Sequence, residues 1–467
     1  MYEKVMERIR IAGGTPYISG GYVRDLVMFG AATKPKDVDV EVFDIDIPAL
    51  ENALAAFGKL DYVGNSFGVL KLKTLDGVEY DISLPRRETK TGVGHKGFTV
   101  ELIPNLSLLE AVRRRDYSMN ALMLNPFTGE ILDLVGGIND IRNGVLRHVS
   151  EHFGEDPLRV LRAMQFAACF NFKLAPETAT LCQSLVNEYA TLPIERKWGE
   201  WEKFFLKGRK PSAGLKALEA SGWLIFYMEL TAMQGLKQNP DWHPEGDVWT
   251  HTLQALDTAA DIAARDKLQG DNRIVLILAV LCHDMGKAST TISTNDKIIS
   301  HGHATAGEIP ARSFMTRIGS PYRFIMPVTA LVKYHMDHIS VTEVNERQVR
   351  RLSAKLGTAG TNLSMLARVI ESDHSGTGLP KEVTTMLEIA ERLAVKDQAP
   401  KPILMGRHLV ELKLPPGPLY SKVLGEVFEA QLDGKVTNLD DTTEYAKRLL
   451  ANEKQPKLMD GENGAKN

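Results

Sequence analysis

The chain has 467 residues, of which 43% are hydrophobic and 25% charged, an ordinary composition for a globular protein of about three domains. The formal net charge of −3 excludes a globally basic chain, so a nucleic acid would have to bind a local basic surface. Three cysteines without a CxxC pair argue against a disulfide framework, and neither a run of about 18 apolar residues nor an apolar leader occurs. We therefore expect a cytoplasmic protein with no membrane partner.

A mixed α/β domain is predicted over residues 1–148. Strands are predicted over TPYIS, DVDVEVF, GVLKLKT and GVEYDISL, and a helix over GGYVRDLVMFG. Gly20 and Gly21 lie between the first strand and this helix, where backbone N–H groups can approach a phosphate closely. Arg24, one turn later, can pair with the same phosphate. Two glycines before a helix more often form only a turn, so this feature alone does not define a site.

The strand DVDVEVF alternates acidic and apolar residues, so Asp37, Asp39 and Glu41 share one face. Paired carboxylates on one face can hold Mg²⁺ against a triphosphate, although an exposed edge strand gives the same pattern. A further acid, Asp81, alternates with apolar neighbours in VEYDISL. If that strand lies beside the first, Asp81 can help to hold the metal or accept a hydroxyl proton.

A helical domain is predicted over residues 149–235, and its most informative stretch is GEDPLRVLRAMQF. Asp156 is the predicted N-cap and Pro157 the first helical residue. Arg159 and Arg162 follow at spacings that place them roughly on the same face as Asp156. This pattern is compatible both with a salt-bridged surface and with a face that binds a ligand.

A second helical domain, predicted over residues 236–380, holds most of the histidines. The adjacent pair His283 and Asp284 follows an apolar run, with His251 upstream and Asp373 downstream. Imidazole and carboxylate groups separated in this way on helices can converge on one divalent metal. A lone helical histidine is usually structural, but this combination indicates a metal site.

The series GGYVRD, DVD, RRRDYSMNAL and EDPLRVLRAMQFAA resembles the class II tRNA nucleotidyltransferases, the CCA-adding enzymes, and their poly(A) polymerase relatives. The later His and Asp pattern resembles the HD superfamily of metal-dependent phosphohydrolases, a domain found in a subset of CCA-adding enzymes. The resemblance implies an α+β fold. A polymerase-β-like palm would be followed by an all-α neck and body, an all-α HD domain, and a helical tail over 381–467 with a disordered C-terminus.

The resemblance also implies roles for the residues that match the family motifs. Asp37 and Asp39 would bind Mg²⁺, with Asp81 as a further catalytic acid. The segment Arg86–Phe98 would be the mobile loop that helps the switch from C to A addition. The nucleotide-binding residues of the family fall on Gly20, Gly21, Arg24, Arg115, Asp116, Asn120, Asp156, Arg159 and Arg162.

Asp156 and Arg159 suit the selection of C and A over G and U. Cytosine and adenine each show an exocyclic amine beside an unprotonated ring nitrogen, whereas guanine and uracil show a carbonyl beside a ring N–H. A carboxylate only accepts hydrogen bonds and a guanidinium only donates them, so the wrong bases leave unpaired groups. In the family Glu155 orients Arg159. The Asp156 side chain cannot easily cap the helix and pair with a base at once.

The implied reaction is attack of the tRNA 3′-hydroxyl on the α-phosphorus of CTP or ATP, with pyrophosphate leaving. Expected partners are the acceptor stem and elbow of tRNA, and the chain would be a monomer or homodimer. A solvated helix face is the alternative for the basic residues expected to contact the tRNA backbone, which are Arg196, Lys197, Lys203 and Lys207.

In the HD superfamily the minimal ligand set matches His251, His283, Asp284 and Asp373, while His303 and His335 match a second metal site of some members. The expected metal is Ni²⁺, Mn²⁺, Co²⁺, Fe or Mg²⁺, because the ligand types do not decide among them. In CCA-adding enzymes this domain is associated with 2′,3′-cyclic phosphodiesterase, 2′-nucleotidase and phosphatase activities.

Three other functions share parts of this pattern. An enzyme that adds only A or only CC, and a bacterial poly(A) polymerase, share the first group of motifs. The intact HD set and the absence of a strongly basic C-terminal extension speak against the polymerase. An alarmone synthetase–hydrolase also joins a nucleotidyltransferase to an HD domain, but in the reverse order and without EDPLRVLR. Intact metal motifs argue against a non-catalytic tRNA-binding protein.

Overall fold

The computed structural model describes residues 2–30, 37–63, 69–75, 77–90, 98–294, 297–337, 344–374, 378–411 and 417–453. Residues 91–97 of the predicted mobile loop, and the predicted disordered C-terminus from residue 454 onward, lie outside this part of the chain. Two compact units are present, Met1–Ile274 with Ser313–Ser320, and Val275–Arg312 with Pro321–Asn467. The bounds of the four predicted domains stay predictions.

The predicted α+β class is confirmed, since a large sheet near the N-terminus precedes a mostly helical remainder. Seven strands form this sheet in the order β3-β4-β5-β2-β1-β8-β9. The neighbours β2 and β5 are parallel, whereas every other adjacent pair in the sheet is antiparallel. The strands are β1 (Thr15–Ser19), β2 (Asp37–Phe43), β3 (Gly58–Val63), β4 (Val69–Thr74), β5 (Glu79–Ser83), β6 (Arg86–Lys90), β7 (Phe98–Leu102), β8 (Met123–Leu124), β9 (Ile131–Leu132), β10 (Val145–Leu146), β11 (Lys173–Leu174), β12 (Ile292–Ser293) and β13 (Ile298–Ile299).

Alternation decides which face of the central strand β2 enters the core. Val38, Val40 and Val42 are buried, whereas Asp37 and Asp39 are exposed on the opposite face. Burying a branched aliphatic side chain contributes about 1.5–3 kcal/mol, so this strand has one favourable orientation. The strand therefore presents Asp37 and Asp39 on the face that alternation predicted.

The helices of the first unit cover one face of the sheet and then form a separate packed layer. Met6 and Ile9 are fully buried in the core shared with the strands, as is Leu50. The helices up to residue 265 are α1 (Glu3–Ile11), α2 (Gly21–Phe29), α3 (Ile47–Leu54), α4 (Leu108–Arg113), α5 (Gly137–Asn143), α6 (Leu158–Phe170), α7 (Pro176–Ser184), α8 (Ile194–Lys207), α9 (Pro211–Ala220), α10 (Met228–Thr231) and α11 (Val248–Arg265).

Helix α6 is the centre of the helical layer and packs against both α8 and α9. Gly214 of α9 permits this approach, because a Cβ there would lie 2.5 Å from the Met164 carbonyl oxygen of α6. Trp201 of α8 is fully buried and donates through Nε1 to the Tyr227 hydroxyl at 3.0 Å. This close packing holds the polar face of α6 in a fixed position.

After residue 265, the regular elements that the structure describes are helices, apart from the short β12–β13 pair. In the second unit, Asn362 is the N-cap of α18, and its side chain accepts from the Met365 N–H at 2.8 Å. Among the described residues, no helix has both the length and the apolar character needed to cross a membrane. The later helices are α12 (Gly270–Cys282), α13 (Lys287–Thr290), α14 (His303–Ala306), α15 (Glu308–Arg317), α16 (Ile325–Tyr334), α17 (Glu346–Thr358), α18 (Leu363–Asp373), α19 (Lys381–Arg392), α20 (Gly406–Glu411), α21 (Pro418–Leu432) and α22 (Leu439–Glu453).

Candidate active sites

The turn between β1 and α2 brings backbone N–H groups next to the acidic face of the sheet. Gly20 has φ +73°, in the left-handed region that favours glycine, and a Cβ added there would collide with the Asp39 carboxylate. Gly21 is the first residue of α2. The turn therefore needs glycine both for its conformation and for its approach to Asp39.

The parallel pairing of β2 and β5 places Asp39 directly opposite Asp81. Asp37 lies two residues before Asp39 on the same face, and Lys71 Nζ is 3.3 Å from Asp81 Oδ1. Partial loss of water raises the pKa of the Asp39 carboxyl; Arg115 works against this rise, and Asp81 and Asp37 add to it. Neighbouring carboxylates that oppose each other's ionisation are a donor set that suits Mg²⁺.

The third acid on this face of β2 has a structural partner. Arg115 Nη2 donates to Glu41 Oε2 at 2.8 Å and to Ser19 Oγ at 2.7 Å, and Glu41 is buried. Glu41 was placed on this face by alternation, but no role followed from the sequence. The ion pair fixes Arg115 between β1 and β2, next to the Asp39 carboxylate.

A chain of hydrogen bonds joins α2 to α6. Arg162 Nε donates to Asp116 Oδ2 at 2.7 Å, and Asn120 Nδ2 donates to Asp116 Oδ1 at 3.1 Å. Arg24 Nη1 in turn donates to Asn120 Oδ1 at 2.9 Å. Burial opposes ionisation of Asp116, but Arg162 and the Asn120 amide lower its pKa. The network thus fixes two guanidinium groups around one buried carboxylate.

Two phenylalanines that had no predicted role lie against the same guanidinium groups. The Arg24 guanidinium carbon lies 4.5 Å from the centroid of the Phe170 ring, and that of Arg162 lies 4.9 Å from the Phe166 centroid. Both distances fall within the range of cation–π attraction. The four-residue spacing of the phenylalanines on α6 was the only available signal, and it is equally typical of a helix core.

The start of α6 differs from the prediction. The helix begins at Leu158 with Pro157 as its N-cap, whereas Asp156 was predicted to be the cap. Asp156 has an extended backbone, and its Oδ1 accepts from the Leu158 N–H at 3.2 Å. Arg196 donates to both carboxylate oxygens of Asp156, at 3.2 and 2.8 Å. This ion pair with α8 fixes Asp156 in place, because charge-assisted fork contacts are geometrically specific.

The Arg159 guanidinium donates to two backbone carbonyl oxygens, those of His152 at 2.6 Å and Arg114 at 2.7 Å. Glu155 Oε1 lies 2.6 Å from His152 Nδ1. Both side chains thus contact His152, Glu155 at the ring and Arg159 at the backbone carbonyl, and the orienting role of Glu155 stays a prediction. These contacts hold the guanidinium plane in one orientation at the edge of the cavity described next.

A cavity of about 720 Å³ collects most of these candidates in the first unit. Asp37, Asp81 and Lys197 lie outside its lining. Lys197 is buried, with its Nζ 3.9 Å from the centroid of the Tyr189 ring, and burial lowers its pKa. It therefore offers little surface to an RNA phosphate. The sequence-predicted residues that line the cavity are Gly20, Gly21, Arg24, Asp39, Arg115, Asp116, Asn120, Asp156, Arg159, Arg162, Arg196, Lys203 and Lys207.

In the second unit, Asp284, His303 and His335 are buried and converge. His303 Nε2 lies 3.3 Å from His335 Nε2 and 3.4 Å from Asp284 Oδ1. Burial lowers the pKa of His335 to about 3, with a further lowering from His283. Two neutral imidazoles facing a carboxylate at these distances form a donor set for a divalent cation.

His283 lies beside this group and faces two carboxylates of the same unit. Its Nε2 is 3.3 Å from Asp284 Oδ2 and 3.3 Å from Asp373 Oδ1. Burial opposes protonation, but Asp284 and Asp373 raise the pKa of His283 to about 10. The negative field at this nitrogen therefore favours a cation. Lys287 Nζ also contacts Asp284 Oδ2, at 2.7 Å.

His251, the fourth member of the predicted minimal set, lies on α11 in the first unit. It is buried, and its Nδ1 is 2.7 Å from Glu245 Oε1. The same oxygen lies 2.9 Å from His243 Nδ1. Glu245 had no predicted role, although it lies six residues before the predicted metal ligand His251. Ligation by His251 stays a prediction.

Two family models match the chain, a poly A polymerase head domain over residues 16–147 and an HD domain over residues 248–371. With the glycine turn, the acidic strands and the buried His and Asp cluster, they define a nucleotidyltransferase head joined to an HD domain. Both families depend on divalent metals. A multifunctional CCA protein of Xanthomonas campestris is 33% identical over 368 residues, covering 77% of this chain and 85% of its own. The chain belongs to the family of multifunctional CCA proteins, which are class II CCA-adding nucleotidyltransferases with an HD domain.

Further relatives and solved structures agree with this assignment. A multifunctional CCA protein of Actinobacillus pleuropneumoniae is 37% identical over 311 residues, covering 65% of this chain and 70% of its own. The CCA-adding enzyme of Bacillus stearothermophilus in complex with CTP has a TM-score of 0.63 at 22% identity, covering 97% of this chain and 98% of its own. The Thermotoga maritima enzyme complexed with tRNA has a TM-score of 0.57 at 17% identity, covering 96% and 94%. These structural similarities concern the fold.

Proposed function

We propose that this chain adds C, C and A in order to the 3′ end of tRNA, without a nucleic-acid template, from CTP and ATP. The observation that carries the proposal is the cavity in which Asp39, the glycine turn and the start of α6 meet. In this cavity, the groups proposed to bind the triphosphate and the pair proposed to select the base can contact the same nucleotide. The names of the relatives, multifunctional CCA proteins, support the same activity.

Positioning and charge stabilisation carry most of the catalysis in nucleotidyl transfer. The tRNA 3′-hydroxyl attacks the α-phosphorus, and pyrophosphate leaves. Mg²⁺ held by Asp37 and Asp39 would offset the phosphate charge and favour ionisation of the attacking hydroxyl. Arg24 and Arg162, fixed by Asn120 and Asp116, would bind the triphosphate or the sugar, while Arg115 stays paired with Glu41.

Asp156 and Arg159 provide the base selection, with the carboxylate facing the amine and the guanidinium facing the unprotonated ring nitrogen. The two hydrogen bonds from Arg196 hold the Asp156 carboxylate in place. They still allow it to contact a base, because a carboxylate oxygen can accept more than one hydrogen bond. Guanine and uracil would place a carbonyl against the Asp156 carboxylate and a ring N–H against the Arg159 guanidinium, so acceptor would face acceptor and donor would face donor. Base selection by Asp156 is therefore compatible with its contacts to the Leu158 N–H and to Arg196.

The HD domain supplies a second activity, a phosphohydrolase acting as a 2′,3′-cyclic phosphodiesterase, 2′-nucleotidase or phosphatase. His283, Asp284 and Asp373, together with His251, are the proposed ligands, and His303 and His335 are proposed for a second metal. Ni²⁺, Mn²⁺, Co²⁺, Fe or Mg²⁺ held there would activate water for phosphoester hydrolysis. The product would be the free 3′-hydroxyl that nucleotide addition requires.

The tRNA acceptor stem would contact the basic residues at the cavity edge, and the tail would contact the elbow. Lys203 and Lys207 line the cavity and suit this role, whereas Lys197 is mostly enclosed. Arg196 remains a proposed contact in spite of its ion pair with Asp156. We propose action in the cytoplasm, as a monomer or homodimer.

Incubation with tRNA transcripts that end before the first C, before the second C and before the terminal A tests the transferase. Each transcript receives CTP, ATP or both. Ordered addition that stops at CCA supports the proposal. Addition of only A or only CC would indicate a partial enzyme, and long A tails a poly(A) polymerase.

Replacing Arg159 with lysine should weaken base selection. Lysine keeps the positive charge but lacks the fork that donates to the His152 and Arg114 carbonyls and to the base. We expect kcat/KM for CTP and ATP to fall about 100-fold, while incorporation of UTP and GTP falls much less. Single-turnover assays with each nucleotide measure this ratio.

The matched control is Arg142→Lys, an exposed arginine on α5. It should leave both the rates and the selectivity at wild-type values. An Arg159→Lys enzyme that discriminates against UTP and GTP as strongly as the wild type would contradict the assigned role of Arg159.

A further inference from the structure

The histidines of the metal cluster in the second unit share one hydrogen-bonding pattern. In each, Nδ1 lies close to the carbonyl oxygen of the residue three positions earlier: 2.7 Å for His283, 2.8 Å for His303 and 2.6 Å for His335. A carbonyl only accepts, so a neutral ring carries its proton on Nδ1 and its lone pair on Nε2. Backbone carbonyl groups therefore orient three imidazoles for ligation through Nε2.

His251 is oriented in the same way, but by a side chain instead of a backbone carbonyl. Its Nδ1 partner is the carboxylate of Glu245, in the loop before α11, at 2.7 Å. The loop is itself fixed, because Asp247 accepts from the Thr250 N–H at 2.8 Å and from the Gly235 N–H at 2.6 Å. His251 and Glu245 are both largely enclosed, with side chains 4% and 14% exposed. Their hydrogen bond is thus shielded from competing water.

We propose that Glu245 is a positioning residue that holds His251 in the Nδ1–H tautomer, so that Nε2 presents its lone pair to the divalent metal of the HD domain. The inference rests on the proposed function, in which His251 is one of the ligands. A carboxylate partner orients a ligating imidazole and makes it a stronger donor, and loss of such a partner typically lowers metal affinity 10–100-fold.

His243 also contacts this carboxylate. Its Nδ1 lies 2.9 Å from the same Glu245 oxygen that His251 contacts, and the two rings meet edge to face with centroids 4.7 Å apart. The alternative is that His243, Glu245 and His251 form a metal site of their own. Ligation through His251 Nδ1 would then replace the hydrogen bond to Glu245 and move the ring proton to Nε2. The two arrangements differ in whether His243 is needed for metal binding.

The test compares Glu245→Gln with His243→Gln by titration of Mn²⁺ into the full-length protein. Both variants are made in the Asp39→Ala background, so that binding at the transferase site does not contribute. We expect Glu245→Gln to weaken Mn²⁺ binding 10–100-fold, because the amide can donate to Nδ1 and stabilise the wrong tautomer. The Mn²⁺ affinity of the His243→Gln variant should stay within about threefold of that of the reference, the Asp39→Ala protein, since Glu245 remains in place. Hydrolysis of a 2′,3′-cyclic phosphate should be recovered in Glu245→Gln at high Mn²⁺.

Correct folding is checked by making Glu245→Gln and His243→Gln in a chain that keeps Asp39. Both variants should add nucleotides to tRNA at the wild-type rate. Equal Mn²⁺ affinity in Glu245→Gln and the reference would overturn the role of Glu245. An equal loss in His243→Gln and Glu245→Gln would overturn it in favour of a separate site. Adding Asp284→Asn to the reference protein should remove its Mn²⁺ binding. If the reference protein binds no Mn²⁺, or if Asp284→Asn leaves the binding unchanged, the proposed HD metal site fails and the inference fails with it.

Discussion

Nucleotide addition to tRNA is expected to fall at least a thousandfold when Asp39 is replaced by alanine, while phosphoester hydrolysis by the HD domain is unchanged. Asp39 lies beneath the Gly20 turn and opposite Asp81, so its loss removes the central carboxylate of the proposed Mg²⁺ site. Loss of metal stabilisation of a transferring phosphoryl group removes several kcal/mol, and about 4 kcal/mol corresponds to a thousandfold. The HD cluster Asp284, His303 and His335 contains no residue of this sheet.

The measurement is the single-turnover rate of CMP and AMP incorporation into a truncated tRNA, with hydrolysis of a 2′,3′-cyclic phosphate followed in the same preparation. Asp61→Asn is the matched control, because this aspartate is exposed on the edge strand β3 and is paired with Lys59. It should retain wild-type rates in both assays. Normal addition by Asp39→Ala would falsify the metal assignment at the sheet.

Replacement of Asp284 by alanine should give the opposite result, loss of hydrolysis with nucleotide addition retained. Asp284 is buried beside His283 and His303, and Lys287 also contacts it. Its removal takes one anionic ligand from the cluster and leaves the Lys287 charge without this partner, so metal binding becomes unfavourable. We expect hydrolysis to fall at least a thousandfold, since metal-activated water is the proposed nucleophile.

Metal content of the purified protein and hydrolysis over a range of Mn²⁺ and Ni²⁺ concentrations test this result. Asp440→Asn serves as the control, because this residue is exposed in the first turn of α22. Thermal unfolding of each variant separates loss of the metal from loss of the fold. If Asp284→Ala hydrolyses the cyclic phosphate at the wild-type rate, the cluster is not the hydrolytic centre.

Local pattern was sufficient for the elements that frame the first site. The strands TPYIS and DVDVEVF were predicted with the bounds that β1 and β2 have, and α2 begins at the second glycine of the pair. Alternation and turn chemistry depend on neighbouring residues only, so they can be derived from a short window of sequence. The placement of Asp37 and Asp39 on the face opposite three buried valines follows from the same rule.

Contacts between residues that are distant in the chain could not be predicted from local pattern. Asp81 was placed beside Asp39 only on the condition that their strands are neighbours, and the pairing of β2 with β5 meets that condition. The Arg196 fork on Asp156 joins residues 40 positions apart, and it was not anticipated. Such contacts depend on how α6 and α8 pack, which is decided by buried aromatic and small residues rather than by the polar residues themselves.

The sequence by itself determined the kind of chemistry. Local patterns of hydrogen-bond donors and acceptors occur in the glycine turn, the acidic strand, the EDPLRVLR helix and the His283–Asp284 pair. The tertiary structure alone decided which of these groups meet and in what state. It paired Glu41 with Arg115, enclosed Lys197 against Tyr189, and gave His251 a carboxylate partner. Side-chain type is a property of the residue, whereas burial, partner and tautomer are set by neighbours that folding brings from elsewhere in the chain.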